Sequence, residues 1–230
     1  MEKIEFTILM PCLNEEKTLK FCIEEAKAYI KKKGLSAEVL IADNGSTDAS
    51  VKIAGEAGAR VVEIKEQGYG NALRGGLKAA RGTYVIMGDC DRSYPFSELD
   101  EFVEKLREGY PLVMGNRFAV DMEPGAMRVT HRYFGVPFLS LMGRWRFKTK
   151  VRDFHCGLRG VERKSAEALE FQCEGMEFAT EMIAKYAKTK CPIAQVPVRL
   201  RRDGRNGRSH LRSVRDGLRH LQYIIFGVIR

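Results

Sequence analysis

No stretch of this 230-residue chain approaches the roughly 18–20 uninterrupted apolar residues of a membrane-spanning helix. The amino terminus, MEKIEFTILMPC, lacks the basic-then-apolar layout of a secretory leader. C-x-x-C pairs are absent as well. Cys12, Cys22, Cys90, Cys156, Cys173 and Cys191 are scattered, which argues against a zinc site or a disulfide framework and for a reducing, cytoplasmic setting. Only 7 prolines and 22 non-periodic glycines exclude collagen-like and proline-rich classes. Acidic residues are scarce in one half alone. Residues 1–115 hold 16 Lys+Arg against 19 Asp+Glu, whereas residues 116–230 hold 23 against 11. A basic half suits nucleic acid, an anionic membrane surface or a phosphorylated substrate.

What is present reads first as alternating strands and helices. Phe6–Pro11, Val39–Asp43, Arg60–Ile64, Thr83–Asp89 and Pro111–Gly115 are apolar runs of buried-strand length. Helices are expected between them. The first spans Asn14 to Lys33, with an apolar stripe of Leu19, Cys22, Ile23, Ala26, Tyr29 and Ile30. The second is capped by Ser46 or Thr47 and reaches Gly58. The third covers Tyr69–Ala80, and the fourth runs from Ser97 to Glu108. This rhythm predicts an α/β fold with a mostly parallel sheet flanked by helices. Residues 118–160 read as irregular. A helix is expected over Gly175–Lys188 and a strand over Ile193–Leu200. The last segment, from Leu211, reads as an amphipathic helix with Val214, Leu218, Leu221, Ile224, Ile225 and Val228 on its apolar side.

Ligands of open parallel sheets bind beyond the carboxyl ends of the strands. Three expected strand ends carry acidic clusters: Pro11-Cys-Leu13-Asn14-Glu15-Glu16, Asp43-Asn44-Gly-Ser46-Thr-Asp48 and Gly88-Asp89-Cys90-Asp91. Asp89 and Asp91, two apart at a strand terminus, can share one cation. Their hard oxygens suit Mg²⁺ or Mn²⁺ working with substrate phosphates. A solvated turn is the plain alternative. Asp43 ends a buried strand, where an unpartnered charge is costly. Gly68-Tyr-Gly70 lacks the third glycine of a dinucleotide fingerprint and reads as a helix start near the ligand.

These residues carry a resemblance. P-x-x-N-E at 11–15, D-N-G-S-T-D at 43–48 and G-D-x-D at 88–91 resemble the nucleotide-sugar domain of family 2 glycosyltransferases, which have the GT-A fold. Met114-Gly-Asn-Arg117, Pro124-Gly-Ala-Met, His131-Arg132-Tyr, Asp153-Phe-His155-Cys-Gly-Leu-Arg and Gly175-Met-Glu-Phe resemble the dolichyl-phosphate mannose or glucose synthase-like branch. The resemblance implies a single GT-A domain over 1–230, with a nucleotide-sugar half at 1–117, an acceptor half at 118–210 and a helix at 211–230 that can lie near a membrane. It implies inverting transfer of a hexose from UDP-glucose or GDP-mannose to a polyprenyl phosphate. The donor would be held by Pro11, Leu13, Asn14, Glu15, Asp43, Asn44, Ser46, Gly70, Asp89, Cys90 and Asp91. Asp43 would meet the base, Glu15 the ribose, and Asp89 and Asp91 the diphosphate through Mg²⁺ or Mn²⁺. Asp91, Asp153 and His155 would stand at the reacting centre. Arg92-Ser93 departs from relatives that carry a further Asp or Gln after the D-x-D.

A phosphate nucleophile is already an anion, so it requires positioning and charge neutralisation rather than a strong base. Arg117, His131, Arg132 and Arg202 are the expected acceptor-phosphate contacts, Arg202 being singled out from the arginine-rich run Arg199–Arg219. The segment from Phe134 to Phe147, apolar and then rich in Arg and Trp, reads either as an interfacial helix or as a buried helix with a basic end. The expected location is peripheral or anchored at the cytoplasmic membrane face. A soluble saccharide acceptor and a non-catalytic basic surface remain alternatives. Nucleic acid is not expected as a partner, because an acidic rim repels phosphates unless a cation intervenes.

Overall fold

Strand β1 (Phe6–Cys12) alternates Phe6, Ile8, Met10 and Cys12 on one face with Leu9 on the other, and both faces are buried. A computed structural model describes residues 3–205 and 212–227, and in it β1 is flanked by parallel neighbours on both sides. The first half adds α1 (Leu19–Lys33), β2 (Ala37–Asp43), α2 (Ser50–Glu56), β3 (Arg60–Glu63), α3 (Tyr69–Ala79), β4 (Tyr84–Met87), α4 (Asp100–Arg107) and β5 (Leu112–Asn116). A π-helical turn (His131–Gly135) leads into α5 (Val136–Phe147). Then follow β6 (Arg159–Glu162), α6 (Arg163–Ala168), α7 (Phe178–Lys188), β7 (Ile193–Pro197) and α8 (Ser213–Phe226).

The sheet order is β3-β2-β1-β4-β6-β5-β7, with β6 antiparallel to both its neighbours and the other pairings parallel. The expected α/β architecture is therefore observed. One apolar layer joins the Phe6 face of β1 to Leu19, Ile23, Phe96, Leu99 and Phe102. The other joins Leu9 to Leu73, Leu77, Phe154, Phe178 and Met182. Each fully buried large side chain contributes roughly 1.5–3 kcal/mol. Gly76 lets α3 approach closely, since a Cβ there would meet Leu9 Cδ1 at 2.4 Å.

Several boundaries differ from those the sequence suggested, for local reasons. α1 begins at Leu19 rather than Asn14, because Asn14 adopts φ 56° and Glu15 O accepts the Thr18 and Leu19 amides in a tight turn. Neither Ser46 nor Thr47 caps α2. Asp48 Oδ1 instead accepts the Ser50 amide, and the Ser46 hydroxyl accepts the Asn14 amide. α4 starts at Asp100, while Ser97 donates to Glu25. β7 stops at Pro197, short of Leu200. The largest correction lies in residues 118–160, which hold α5 and lead into β6. β6 is only Arg-Gly-Val-Glu and has no apolar run to betray it. Leu211 and Val228, expected on the last helix, fall outside the described residues.

Candidate active site

The strand order reverses at β1, whose neighbours β2 and β4 continue to opposite edges. A crevice at the carboxyl ends of β1 and β4 follows from this topology. The register sets Cys12 opposite Asp43 and Leu9 opposite Met87, so the turns after β1, β2 and β4 share one rim. Pro11 and Leu13 are half-buried there, and Pro11 O accepts the Cys90 thiol at 3.2 Å.

Asn14 and Asp43 knit the first two turns. Asn14 Oδ1 accepts the Thr47 amide at 2.8 Å and the Asp48 amide at 3.3 Å. Asp43 Oδ2 accepts the Gly45 and Ser46 amides at 3.2 Å each. Its Oδ1 is buried without a partner, and leaving a buried acceptor unsatisfied costs about 1–3 kcal/mol unless a ligand donor supplies the bond. Asn44 is fully used by the fold: its amide donates to Ile64 O and Glu66 O and accepts the Gly68 amide. Gly70 is pressed against the chain, since a Cβ there would stand 2.3 Å from Cys173 O.

Glu15, Asp89 and Asp91 form an acidic group in which Glu15 and Asp91 are buried and Asp89 is half-buried. Burial and then the charge of Asp91 push Asp89 up to about 6, against the Tyr69 hydroxyl, which donates to it at 3.0 Å. Glu15 is pushed up to about 7, chiefly by burial. A guanidinium nevertheless stands beside it: Arg205 Nε lies 2.9 Å from Glu15 Oε1, and Arg205 Nη2 lies 2.5 Å from Asp91 Oδ2. Burial outweighs the ion pair for Glu15. Gly157 closes the floor, where a Cβ would stand 2.5 Å from Asp89 Oδ2. Arg92, which follows the D-x-D, has φ 72° and stacks over Phe21 at 4.2 Å.

The donor set fits a hard divalent cation. Glu15 and Asp89 are held above the usual carboxylate range, and a positive group already sits among the acids. Among the described residues no three His, Cys, Asp or Glu side chains form a complete metal cage. Two carboxylates completed by ligand phosphates are the usual arrangement for Mg²⁺.

Beside this group lies a buried ion pair. Arg117 at the end of β5 holds Asp153 through Nε at 2.7 Å and Nη2 at 2.8 Å, and Asp153 is wholly buried. Asp153 also accepts the His155 amide. Arg159, buried on β6, fixes the same loop by donating to Phe154 O and Cys156 O. The His155 ring meets His220 of α8 edge-on, with centroids 4.4 Å apart, and neither His155 nitrogen has a partner. His131 lies on the π-helical turn. Arg132 lines an open groove of about 290 Å³ with Phe118, Val120 and Met122. Arg202 is turned to the neighbouring loop, where it donates to Pro124 O. Sequence reasoning missed Arg205, Arg159 and the Tyr69–Asp89 bond. Arg205 lies in a Gly/Asn-rich stretch of sequence that offers no periodic signal.

Burial holds both histidines neutral: His155 well below its usual value, and His220 down to about 4 while Nδ1 pairs with Thr180. The sign follows. Below about 6.5 the unfolded chain binds protons that folded His220 refuses, so its contribution falls as pH drops from 6.5 toward 4. Glu15 and Asp89 act in the opposite sense, so the difference between wild type and His220→Gln isolates this group. In urea melts, wild type should lose up to about 1.4 kcal/mol per pH unit relative to that variant over this window. Parallel curves would disprove it.

α5 buries only Ser140 and Gly143. It turns Phe138, Leu141 and Trp145 outward, with Trp145 83% exposed. Phe134 and Tyr133 on the preceding turn, and Val214, Leu218 and Phe226 on α8, are exposed too, and α8 lies against α5. The buried-helix reading of the 134–147 segment does not hold, since its apolar side chains face outward. No described helix is long and apolar enough to cross a membrane.

A family model described as "Glycosyl transferase family 2" matches residues 7–169. The chain belongs to glycosyl transferase family 2. The hexosyltransferase Agl6 of low-salt glycan biosynthesis in Haloferax volcanii is 35% identical across 95% of this family 2 chain, which spans about half (52%) of Agl6. Glycosyltransferase AglJ of the same organism is 34% identical over 91% of the chain and 67% of its own length. Human dolichyl-phosphate beta-glucosyltransferase is 27% identical, covering 84% and 66%. Among solved structures, Mycobacterium tuberculosis glucosyl-3-phosphoglycerate synthase, in complex with Mn²⁺, UDP and glucosyl-3-phosphoglycerate, superposes with a TM-score of 0.74. It is 22% identical and covers 99% of this chain and 81% of its own. The shared architecture is the GT-A fold.

Proposed function

We propose that this family 2 member is an inverting hexosyltransferase that moves a sugar from UDP-glucose or GDP-mannose to a polyprenyl phosphate at the cytoplasmic face of a membrane. The observation that carries the reading is an outward apolar face on α5, with Arg128, Arg132, Arg144 and Arg146 close to it in sequence, in the same chain as the carboxylate cluster and the buried Arg117. A soluble acceptor gives no reason for Trp145, Leu141 and Phe138 to face solvent together, whereas a headgroup region does. The similarity to a dolichyl-phosphate beta-glucosyltransferase and a dolichyl-phosphate hexose transferase supports the same choice.

In this reading Asp43 Oδ1, with its unmet acceptor capacity, takes a donor from the base, and Glu15 stands near the ribose. Asp89 and Asp91 would hold Mg²⁺ or Mn²⁺, which when bound offsets the charge of the departing nucleoside diphosphate. Asp153 fixes the Arg117 fork through Nε and Nη2, which leaves Nη1 toward an incoming phosphate; Arg132 and His131 lie on the adjacent turn. The acceptor phosphate oxygen attacks the anomeric carbon from the face opposite the leaving group. The new C–O bond forms as the bond to the diphosphate breaks, and the configuration inverts. No general base is needed, and His155, which burial makes hard to protonate, is a weak one.

The test uses full-length chain, radiolabelled UDP-glucose or GDP-mannose, Mn²⁺ and three acceptors: polyprenyl phosphate in vesicles, a soluble saccharide and phosphoglyceric acid. Label in the lipid fraction alone is expected. Label in either soluble acceptor with none in lipid would replace the acceptor half of the reading.

A further inference from the structure

Asp91 has one oxygen to spare, and the protein's own cation is on it. Oδ1 accepts the Ser93 amide at 3.0 Å and the Ser93 hydroxyl at 2.5 Å, while Oδ2 faces Arg205 Nη2 at 2.5 Å. The same guanidinium reaches Glu15 Oε1 at 2.9 Å, so it bridges the turns after β1 and β4 across the mouth of the crevice. This is not a loose surface arginine. Its side chain is 16% exposed, and the backbone delivers it: the Gly204 amide donates to Asp91 O at 2.8 Å and the Arg201 amide to Ser93 O at 2.9 Å. Gly204 lies close against the site, where a Cβ would stand 2.6 Å from Arg92 Cδ and 3.1 Å from Thr18 Cγ2.

We propose that Arg205 and the divalent cation are alternative occupants of one site. In the nucleotide-free protein the guanidinium neutralises Asp91 and Glu15; a cation arriving with a nucleoside diphosphate takes Asp91 Oδ2 and sends the arginine to the incoming phosphates. The inference rests on the reading of Asp89 and Asp91 as the cation ligands. Its physical basis is exclusion. A cation on Oδ2 would stand against a like charge in a partly buried site, where water screens little. The released fork has a natural second partner, because guanidinium donors match phosphate oxygens as well as carboxylates. The protein alone should therefore bind metal poorly, and nucleotide should raise that affinity by giving Arg205 another anion. Arg205 becomes a donor-binding residue whose resting place is the cation's own.

Binding of Mn²⁺ by full-length chain without nucleotide, followed by electron paramagnetic resonance, is the test. Arg205→Ala should bind Mn²⁺ about tenfold tighter than wild type, within the range usual for coupled sites. Arg205→Lys, which keeps the charge but loses the fork, should gain less. Adding Asp91→Asn to Arg205→Ala should remove the gain. Arg205→Gln covers the case in which the alanine variant is poorly folded. Equal or weaker binding by Arg205→Ala and Arg205→Gln, with Mn²⁺ still bound through Asp91 when UDP or GDP is added, would overturn the exchange and leave the cation ligands standing. Absence of Mn²⁺ binding in every protein, with and without UDP or GDP, would overturn both.

Discussion

Asp89→Ala combined with Asp91→Ala is expected to cut hexose transfer by roughly 10³-fold or more, since cation stabilisation of a departing phosphate supplies several kcal/mol and each 1.36 kcal/mol is a factor of ten. The fold should survive. Burial and the charge of Asp91 push Asp89 up to about 6. Removing both acids relieves that repulsion and forfeits the Tyr69 bond to Asp89 together with the Ser93 bonds and the Arg205 ion pair of Asp91, and Arg205 keeps Glu15 as a partner. The measurement is initial rate together with a urea unfolding midpoint. Normal turnover in a folded double variant would end the case for this pair, and loss of activity through unfolding would show instead that the acids are structural.

Asp153→Ala should have the largest effect on stability, about 3–5 kcal/mol, because it strands a buried guanidinium. Arg117 is 8% exposed and Asp153 is fully covered, so water cannot replace the lost partner at either end. The urea midpoint should fall with an unchanged slope. A second change separates the cost of an orphaned charge from the net worth of the pair. Arg117→Met placed on Asp153→Leu should recover much of the loss, as apolar replacements of buried pairs often do. Unfolding of Asp153→Ala at the wild-type midpoint would mean that the pair is wetter and weaker than its geometry states.

The acidic rim was legible in the sequence because each of its parts follows an apolar run: Cys12 closes β1, Asp43 closes β2, and Asp89 lies two residues past Met87 of β4. Strand length and a terminal acid suffice to mark such positions. Asn14 was legible as a rim residue but not as a left-handed turn, since nothing in Leu-Asn-Glu-Glu distinguishes a helix start from the φ 56° that Asn tolerates. β6 was invisible because both its flanks are buried by partners rather than by its own apolar content, with Arg159 spending its charge on carbonyls. Arg205 was hidden for a different reason. A charge in a Gly/Asn-rich stretch is ordinarily solvated, and only the backbone bonds from 201–204 to 91–93 bring it to the acids.

The placement of β6 bears on how such chains can be recombined. β4 and β5 are each hydrogen-bonded to β6 and not to one another, and Met87 pairs with Arg159 two residues before Asp89. A cut near residue 117 is therefore no seam, for it would strip a strand from the middle of the sheet and bare two adhesive edges. Any chimaera that borrows the part after residue 117 from a cousin also imports the strand against which the turn bearing Asp89 and Asp91 is aligned, so that turn would shift unless the four-residue strand is left behind.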